Sequence, residues 1–160
     1  MSEKIAIDGI EKNERMTKVT LFGVPDRPGM AGEIFGALGR KGVSVELLVT
    51  NPGTAGRSNI SFAIRNQEME TAQPILEEVR NRVNAEGLSF QPDMALISIH
   101  GKQLAGVPGV AGKMFHALAS NGINIDSISS SRTGVTCLIA QEHLPTAESS
   151  LDTVFTLSAP

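Results

Sequence analysis

Apolar positions along the first half of the chain change between a period of two and a helical period in a fixed order. Residues 18–24 alternate as in a strand, and a Pro-Gly turn then opens a stretch in which Met30, Ile34 and Leu38 recur at helical spacing. The pattern therefore predicts a strand at 18–24, a helix after the turn at 28–29, a strand at 43–49, an alternating strand at 60–64 and a helix at 75–83.

The same order returns in the last third of the chain, because the sequence contains an internal repeat. Residues 28–38, PGMAGEIFGAL, match PGVAGKMFHAL 80 positions later. GVSVE at 42–46 matches GINID at the same offset. Upstream, residues 18–23 resemble residues 96–101 at an offset of 78, so the second copy has two extra residues in the following loop. The second copy predicts a helix at 109–120, strands at 123–130 and 135–139, and a helix at 145–155.

Each copy therefore has the order βαββα with a closing strand, which is typical of a ferredoxin-like sandwich. The predicted fold class is α+β, with two βαββαβ modules in which helices cover one face of an antiparallel sheet. We expect one module at residues 15–90 and a second module that combines residues 91–160 with residues 1–14. Residues 4–9 alternate as well and belong to neither copy, so a strand there could pair with the second sheet and make the first module an insertion.

The composition argues against a nucleic-acid-binding protein and against a membrane protein. The 160 residues carry a formal net charge of -3 and only 4% aromatic residues, without Trp or Tyr, which argues against a nucleic acid partner. No apolar run approaches the roughly 20 residues that cross a bilayer, so we expect no membrane role. Residues 1–10 lack the pattern of a secretory or transit peptide, and we expect a cytoplasmic protein.

Recognised catalytic motifs are missing from the sequence. There is no phosphate-binding loop, zinc-protease motif, paired-cysteine metal motif or nucleophile elbow, so we predict no catalytic residues, no metal and no cofactor. The histidines, His100, His116 and His143, are scattered, and we interpret them as ordinary surface or satisfied residues. Cys137 lies on the apolar side of an alternating strand, where a thiol behaves as a small hydrophobic group.

Glycines form a stripe on the first predicted helix. Gly32, Gly36 and Gly39 lie opposite the apolar stripe, and each interior glycine costs about 1 kcal/mol relative to alanine. One interpretation is the close approach of another backbone, for example across a subunit interface. The other is a helix whose flexibility has no packing role. The sequence leaves both open.

An ordered series of segments resembles the regulatory region of aspartate kinases, which contains two ACT modules. The segments are TKVTLFGVPDRPG at 17–29, NISF at 59–62, VPGVAGKMF at 107–115 and GINIDSIS at 122–129. The leader IDGI at 7–10 resembles the strand that links the kinase domain to these modules in that family. The resemblance covers nearly the whole chain.

This resemblance implies a regulatory function. Aspartate kinases phosphorylate aspartate with ATP and are inhibited by end products such as lysine or threonine. The chain resembles the short β subunit of some of these enzymes, or an excised regulatory region, so a catalytic chain is an implied partner. A homodimer through the ACT modules is also implied, with amino-acid effectors at the seam between chains. The alternative is a free-standing tandem ACT sensor that regulates another partner.

The resemblance also implies effector-binding residues. A helix N-terminus offers unpaired N–H groups to an amino acid's carboxylate, and Asp26 could bind the ammonium group. Two other interpretations stay open: Asp26 could brace its own turn, and Asn124 could be a strand-edge amide. The implied site comprises Asp26, Pro28, Gly29, Met30, Ala31, Val45, Thr50, Asn51, Asn124 and Ile125.

Three positions depart from the pattern that is common in the family. Thr50 stands where Gln is common, RSN at 57–59 stands where Thr-Thr-Asp is common, and Arg132 replaces Glu. The first change shortens a side chain that is expected to contact the effector, and the last reverses a charge near the seam. Which effector binds, and whether binding is retained, therefore stays open at the level of sequence.

Overall fold

The computed structural model describes residues 3–158, which divide into two compact units. The central unit runs from Arg15 to Asp93. The terminal unit combines the described residues up to Glu14 with those from Met94 onward. Residues 1–2 and 159–160, which the sequence assigns to the second module, lie outside the described residues.

Four α-helices and eight strands make up the regular structure of this part of the chain. The helices are α1 (Met30–Arg40), α2 (Met69–Arg82), α3 (Val110–Ser120) and α4 (Leu144–Asp152). The strands are β1 (Ile5–Ile7), β2 (Gly9–Pro25), β3 (Glu46–Pro52), β4 (Arg57–Arg65), β5 (Gly87–His100), β6 (Ser127–Ser131), β7 (Gly134–Ala140) and β8 (Phe155–Leu157). The strands β2 and β5 each contribute residues to both units.

In the central unit, β4 lies between β3 and β2 and is antiparallel to both. Alternate residues of β2 and β4, such as Leu21 and Phe62, are fully buried against apolar residues of α1 and α2. The rings of Phe35 and Phe62 meet edge to face with centroids 5.1 Å apart, which joins α1 to the sheet. The two helices pack side by side over this apolar face.

The terminal unit repeats this arrangement. The strand β7 lies between β5 and β6 and is antiparallel to both, and α3 and α4 cover its apolar face. The leader strand β1 pairs in parallel with β8 in a separate two-stranded sheet, with Ile5 opposite Phe155. Ile7 of the leader is buried in the core of the terminal unit. Apart from the parallel pair β1 and β8, the structure therefore confirms an α+β fold with antiparallel strands and helices on one face.

The first helix of each unit ends in the same motif. Gly42 has φ +76°, its N–H donates to the Gly39 carbonyl at 3.0 Å, and the Val43 N–H donates to the Leu38 carbonyl at 3.1 Å. This is a Schellman motif, in which glycine takes the left-handed conformation after the helix. Gly122 and Ile123 repeat it at the end of α3.

Several predicted boundaries differ from the structure, including the start of α2, which lies at Met69 rather than at residue 75. The strand β3 begins at Glu46 rather than at residue 43, and β6 begins at Ser127 rather than at residue 123. Val43 and Ile123 are buried because they supply the apolar contact of the Schellman motif, not because they lie in a strand. The last helix ends at Asp152 and not at Phe155, which belongs to β8.

The glycine stripe of α1 has no close neighbour within the described chain. A Cβ atom added to Gly32 or Gly39 would meet nothing within 4 Å, and one added to Gly36 would meet only the Arg40 side chain at 3.4 Å. Close approach of a backbone from residues 3–158 is therefore excluded as the reason for the stripe.

None of the helices formed by these residues is long and apolar enough to cross a membrane.

Candidate functional site

The central unit contains a cleft of about 210 Å³ where the end of β2 leads into α1. Its other walls come from β3 and β4. We call it the α1 cleft. It is lined by Val24, Pro25, Asp26, Arg27, Met30, Ala31, Thr50, Ser58 and Ile60.

Four of the residues that the sequence singles out line this cleft together. Asp26 and Thr50 supply polar groups, and Met30 and Ala31 come from the first turn of α1. Pro28 belongs to the exposed turn before that helix.

Asp26 is exposed but held in a defined position. One of its carboxylate oxygens, Oδ1, accepts a hydrogen bond of 2.6 Å from the Ser58 hydroxyl on β4. Its backbone N–H donates to the Gly56 carbonyl at 2.8 Å. A carboxylate accepts more than one hydrogen bond, so Asp26 can be anchored by Ser58 and still bind a cationic group.

The N-terminal end of α1 has the opposite polarity to the Asp26 carboxylate and can attract an anion. Gly29 precedes the helix in the left-handed conformation, and no side chain among residues 3–158 caps the first turn by a hydrogen bond. The Met30 N–H makes only a long bond of 3.4 Å to the Arg27 carbonyl. Unsatisfied N–H groups and the helix dipole at such an end attract a carboxylate. The α1 cleft thus pairs a carboxylate side chain with an anion-binding helix end, which suits a zwitterion.

The other predicted residues lie outside the α1 cleft. Val45 precedes β3 and packs against the core of the central unit, and Asn51 is paired with Asn59 in the ladder between β3 and β4. Asn124 and Ile125 lie in the terminal unit, between α3 and β6.

The sequence missed five lining residues, of which Ser58 is the most informative. Its pairing opposite Val24 places it beside Asp26, and Ile60 lies opposite Thr50 on the neighbouring ladder. Alternation along residues 58–64 gives the face of each side chain but not its partner strand. In the sequence, Ser58 stands out only as part of RSN at 57–59, where Thr-Thr-Asp is common in the family, and that departure does not place it in the site.

A counterpart of the α1 cleft lies at the start of α3, with a volume of about 310 Å³. Gly106 occupies the position that corresponds to Asp26, and Arg132 lines the same cleft. Among the described residues that line it, none is acidic. The two clefts therefore share a backbone plan but differ in charge.

Among the described residues, the histidines and the cysteine do not form a catalytic or metal-binding cluster. His100 Nε2 lies 3.5 Å from a Glu11 carboxylate oxygen, and His143 lies 3.8 Å from Glu142. Cys137 is buried as predicted, and burial raises the pKa of its thiol to about 12. Within residues 3–158, no cluster of three or more His, Cys, Asp or Glu could hold a metal ion.

Comparison with known protein families agrees with the repeated fold. Models of the ACT domain match residues 18–83 and residues 97–155, one in each unit. The fold and the paired clefts therefore define a protein with two ACT domains, and each domain is ferredoxin-like.

Among proteins of known structure, the chain is similar to regulatory subunits of aspartate kinases. The regulatory subunit of aspartate kinase from Thermus thermophilus, in a ligand-free form, superimposes with a TM-score of 0.85 at 30% identity, covering 94% of this chain and 99% of that one. A crystal structure of aspartokinase alpha and beta subunits matches with a TM-score of 0.83 at 29% identity, covering 93% of this chain and 98% of that one.

A longer relative matches in the same way. The aspartate kinase of Pseudomonas putida is 34% identical over 158 residues, which are 99% of this chain and 38% of that protein. The chain belongs to the aspartate kinase family, and what it matches is the regulatory ACT region and not the catalytic domain. It spans about 38% of the length of the full-length kinases that it resembles.

Proposed function

We propose that the α1 cleft binds a free amino acid and that binding mediates feedback inhibition of an aspartate kinase. The observation that carries this proposal is the convergence of Asp26, the uncapped start of α1 and Thr50 on one cleft. The α-ammonium group would contact Asp26, and the α-carboxylate would lie at the N–H groups of Met30 and Ala31. The lining of Val24, Pro25 and Ile60 leaves an apolar wall for the rest of the ligand.

The effector we propose is an end product of the aspartate family, lysine or threonine. The family membership supports this choice, because a regulatory region signals the level of what its pathway makes. Thr50 and Ser58 offer hydroxyl groups that can bond a polar effector side chain. Methionine and isoleucine, which lack such a polar group, are the natural comparison ligands.

We propose two protein partners. One is a chain or domain with aspartate kinase activity, since the chain matches only the regulatory part of its relatives and one solved relative contains both alpha and beta subunits. The other is a second copy of this chain, joined through the ACT modules. The exposed apolar residues Leu48 on β3 and Ile128 on β6 support self-association, because each lies on a strand paired on only one side among the described strands. We propose that this chain is cytoplasmic.

An effector can inhibit the kinase only if the regulatory region has two states that bind it with different affinity. Binding in the α1 cleft joins α1 to β3 and β4, so these elements are the ones whose relative positions the effector would restrain. A sensor that acts on a different protein would bind the same ligand but leave aspartate kinase activity unchanged. Kinase assays with and without this chain separate the two functions.

The substitution Asp26→Asn tests the ligand site directly. It keeps the shape of the side chain and the acceptor for Ser58 but removes the charge. We expect lysine or threonine to bind about 10 to 100-fold more weakly, because a hydrogen bond to a charged group contributes roughly 1.5–3 kcal/mol. Calorimetric titration of the purified chain with lysine, threonine, methionine and isoleucine provides the measurement.

The matched control is Asp152→Asn, which removes an exposed carboxylate at the end of α4 in the terminal unit. This variant should bind as the original protein does. If both variants bind equally well, the ammonium group is bound elsewhere and the α1 cleft is not the site. If the unsubstituted, folded chain binds none of the four amino acids, the proposed sensor function is wrong for the chain on its own.

A further inference from the structure

Three consecutive residues at the start of β4 attach to the last part of β2, just before the α1 cleft. Arg57 Nη1 donates to the Gly23 carbonyl at 2.6 Å, and the Gly23 N–H donates to Asn59 Oδ1 at 3.0 Å. Between them, the Ser58 hydroxyl donates to Asp26 at 2.6 Å. These side-chain bonds add to the pairing of Val24 and Pro25 with β4 in holding the segment at 23–26.

The reason is an irregularity in the pairing of β2 with β4. Leu21 lies opposite Ile60 and Val24 opposite Ser58, so the register shifts between these two pairs. Gly23 lies inside the shift, is buried and has φ +61°, a left-handed conformation that glycine adopts without strain. Its N–H and C=O therefore lose their strand partners, and a buried backbone group without a partner destabilises the fold. Asn59 and Arg57 replace both partners.

Arg57 also reaches the turn between α2 and β5. The same Nη1 donates to the Asn84 carbonyl at 2.9 Å, and Nε lies 3.5 Å from a Glu86 carboxylate oxygen. Glu86 is itself attached to β2, because its N–H donates to the Phe22 carbonyl at 2.8 Å. The guanidinium group thus connects the β2 irregularity with the α2–β5 turn, and its side chain is only 28% exposed.

We propose that Arg57 is a positioning residue for the α1 cleft. It does not line the cleft, so it acts through the segment at 23–26, whose conformation decides where the Asp26 carboxylate lies. Without the bond to Gly23, that segment gains freedom, and Asp26 is no longer held in the orientation that faces the ligand. The importance of this role for effector binding rests on the function proposed above, but the conformational part can be measured without any ligand.

The first measurement is amide hydrogen exchange of the ligand-free chain. Arg57→Gln should speed exchange at Gly23 and Asp26, while Arg82→Gln should leave both amides unchanged. Arg82 is the matched control because it is a paired arginine of the same unit, 3.1 Å from Glu33 and 3.5 Å from Glu78, that contacts nothing at 23–26. Unchanged exchange at Gly23 and Asp26 in a folded Arg57→Gln protein would overturn the proposal.

The second measurement is a double-mutant cycle for the binding of lysine or threonine, whichever the chain binds. Arg57→Gln alone should weaken binding roughly tenfold, and it should have little further effect when Asp26 is already replaced by Asn. A purely structural role would weaken binding by the same factor in both backgrounds, and that result counts against positioning. Absence of binding by the unsubstituted chain would contradict the effector site alone, and the exchange result would still decide the role of Arg57.

If Arg57→Gln does not fold, a milder variant provides the test. Glu86→Gln removes the ion pair of Arg57 but keeps its bonds to the two backbone carbonyl groups. We expect faster exchange at Gly23 than in the unsubstituted chain, by a smaller factor than for Arg57→Gln. No change at Gly23 in this folded variant, together with unchanged ligand affinity, would likewise overturn the proposal.

Discussion

Burial decides the chemistry of the single cysteine, Cys137. The side chain lies on β7 within the core of the terminal unit, and it has no exposed surface. Burial disfavours the charged thiolate, and it raises the pKa of the thiol to about 12. Since the thiolate is the reactive form, the folded protein should resist thiol reagents at any pH well below that value.

A thiol-reactive chromogenic disulfide at pH 8 tests this expectation. The folded chain should react only as fast as it unfolds, whereas the chain in concentrated guanidinium should react at once, because an unperturbed thiol has a pKa of about 8.5. Cys137→Ala supplies the blank. Rapid reaction of the folded chain would show that β7 opens locally and that the thiol is accessible.

The two clefts show how single residues can separate the functions of a repeated structure. Asp26 and Arg27 line one cleft, whereas Gly106 occupies the position of Asp26 in the other, whose only charged lining residue among those described is Arg132. The Asp26 carboxylate, which we propose binds an ammonium group, has no acidic counterpart among the described residues lining the second cleft. The effector site proposed for the α1 cleft is therefore not expected to be repeated in the terminal unit.

At the scale of an element, two glycines at the C-terminal end of α1 have different roles. Gly42 adopts φ +76° after the helix, where any other residue is strained. Gly39 lies inside the helix, and a Cβ atom there would meet nothing within 4 Å. Two glycines three positions apart thus have opposite expected responses to the same substitution.

Gly42→Ala should lower the free energy of unfolding by about 1–2 kcal/mol, the cost of a left-handed conformation for a residue with a Cβ atom. Gly39→Ala should raise it by about 0.5–1 kcal/mol, because alanine favours the helix interior. Urea denaturation of both variants measures the difference. If Gly39→Ala instead destabilises the protein in a concentration-dependent way, the glycine stripe is packed against a second copy.

At the scale of the whole molecule, the chain is a regulatory ACT region of the aspartate kinase family. It matches about 38% of the length of the full-length kinases that it resembles, and under the proposed function its effect on catalysis would pass to another domain or chain. The apolar residues exposed on β3 and β6 are the surfaces that we expect to join two copies.

Leu48→Lys tests the proposed homodimer. Leu48 is 50% exposed, and a lysine on an edge strand opposes pairing with another chain. We expect light scattering after gel filtration to show a dimer for the original chain and a lower dimer fraction for this variant. Leu157→Lys is the control, since Leu157 is 66% exposed on β8, a strand that pairs with β1 and not with β3 or β6. A strict monomer at high concentration would contradict self-association.

Much of the fold could be predicted from the repeat and the hydrophobic periods. Residues such as Ile34 and Leu38, or Phe62 and Ile64, fall on buried faces because period alone decides which side of an element is apolar. Strand starts were predicted too early at Val43 and Ile123, since a buried residue after a helix looks like the first residue of a strand. The assignment of residues 15–90 and of the two chain ends to separate folding modules stays a prediction.

The candidate site was predicted only in part. Asp26, Met30 and Ala31 are close in sequence, and they share the α1 cleft with Thr50 because β3 returns beside α1. Ser58, which anchors Asp26, is 32 positions away from it, and the sequence marks it only as part of the RSN departure at 57–59. Arg57 is missed for the same reason, because the carbonyl that it binds belongs to a backbone irregularity, and side-chain patterns do not record one.

The sequence by itself determined the repeat, the ferredoxin-like order of elements and the apolar faces, because these follow from local period and from turn residues. It also pointed to a regulatory rather than a catalytic protein. Only the tertiary structure decided which strands lie beside one another at Gly23, and hence that Arg57, Ser58 and Asn59 hold the segment that carries Asp26. Register and long-range hydrogen bonds depend on residues that are distant in the chain, and no local pattern specifies such pairs.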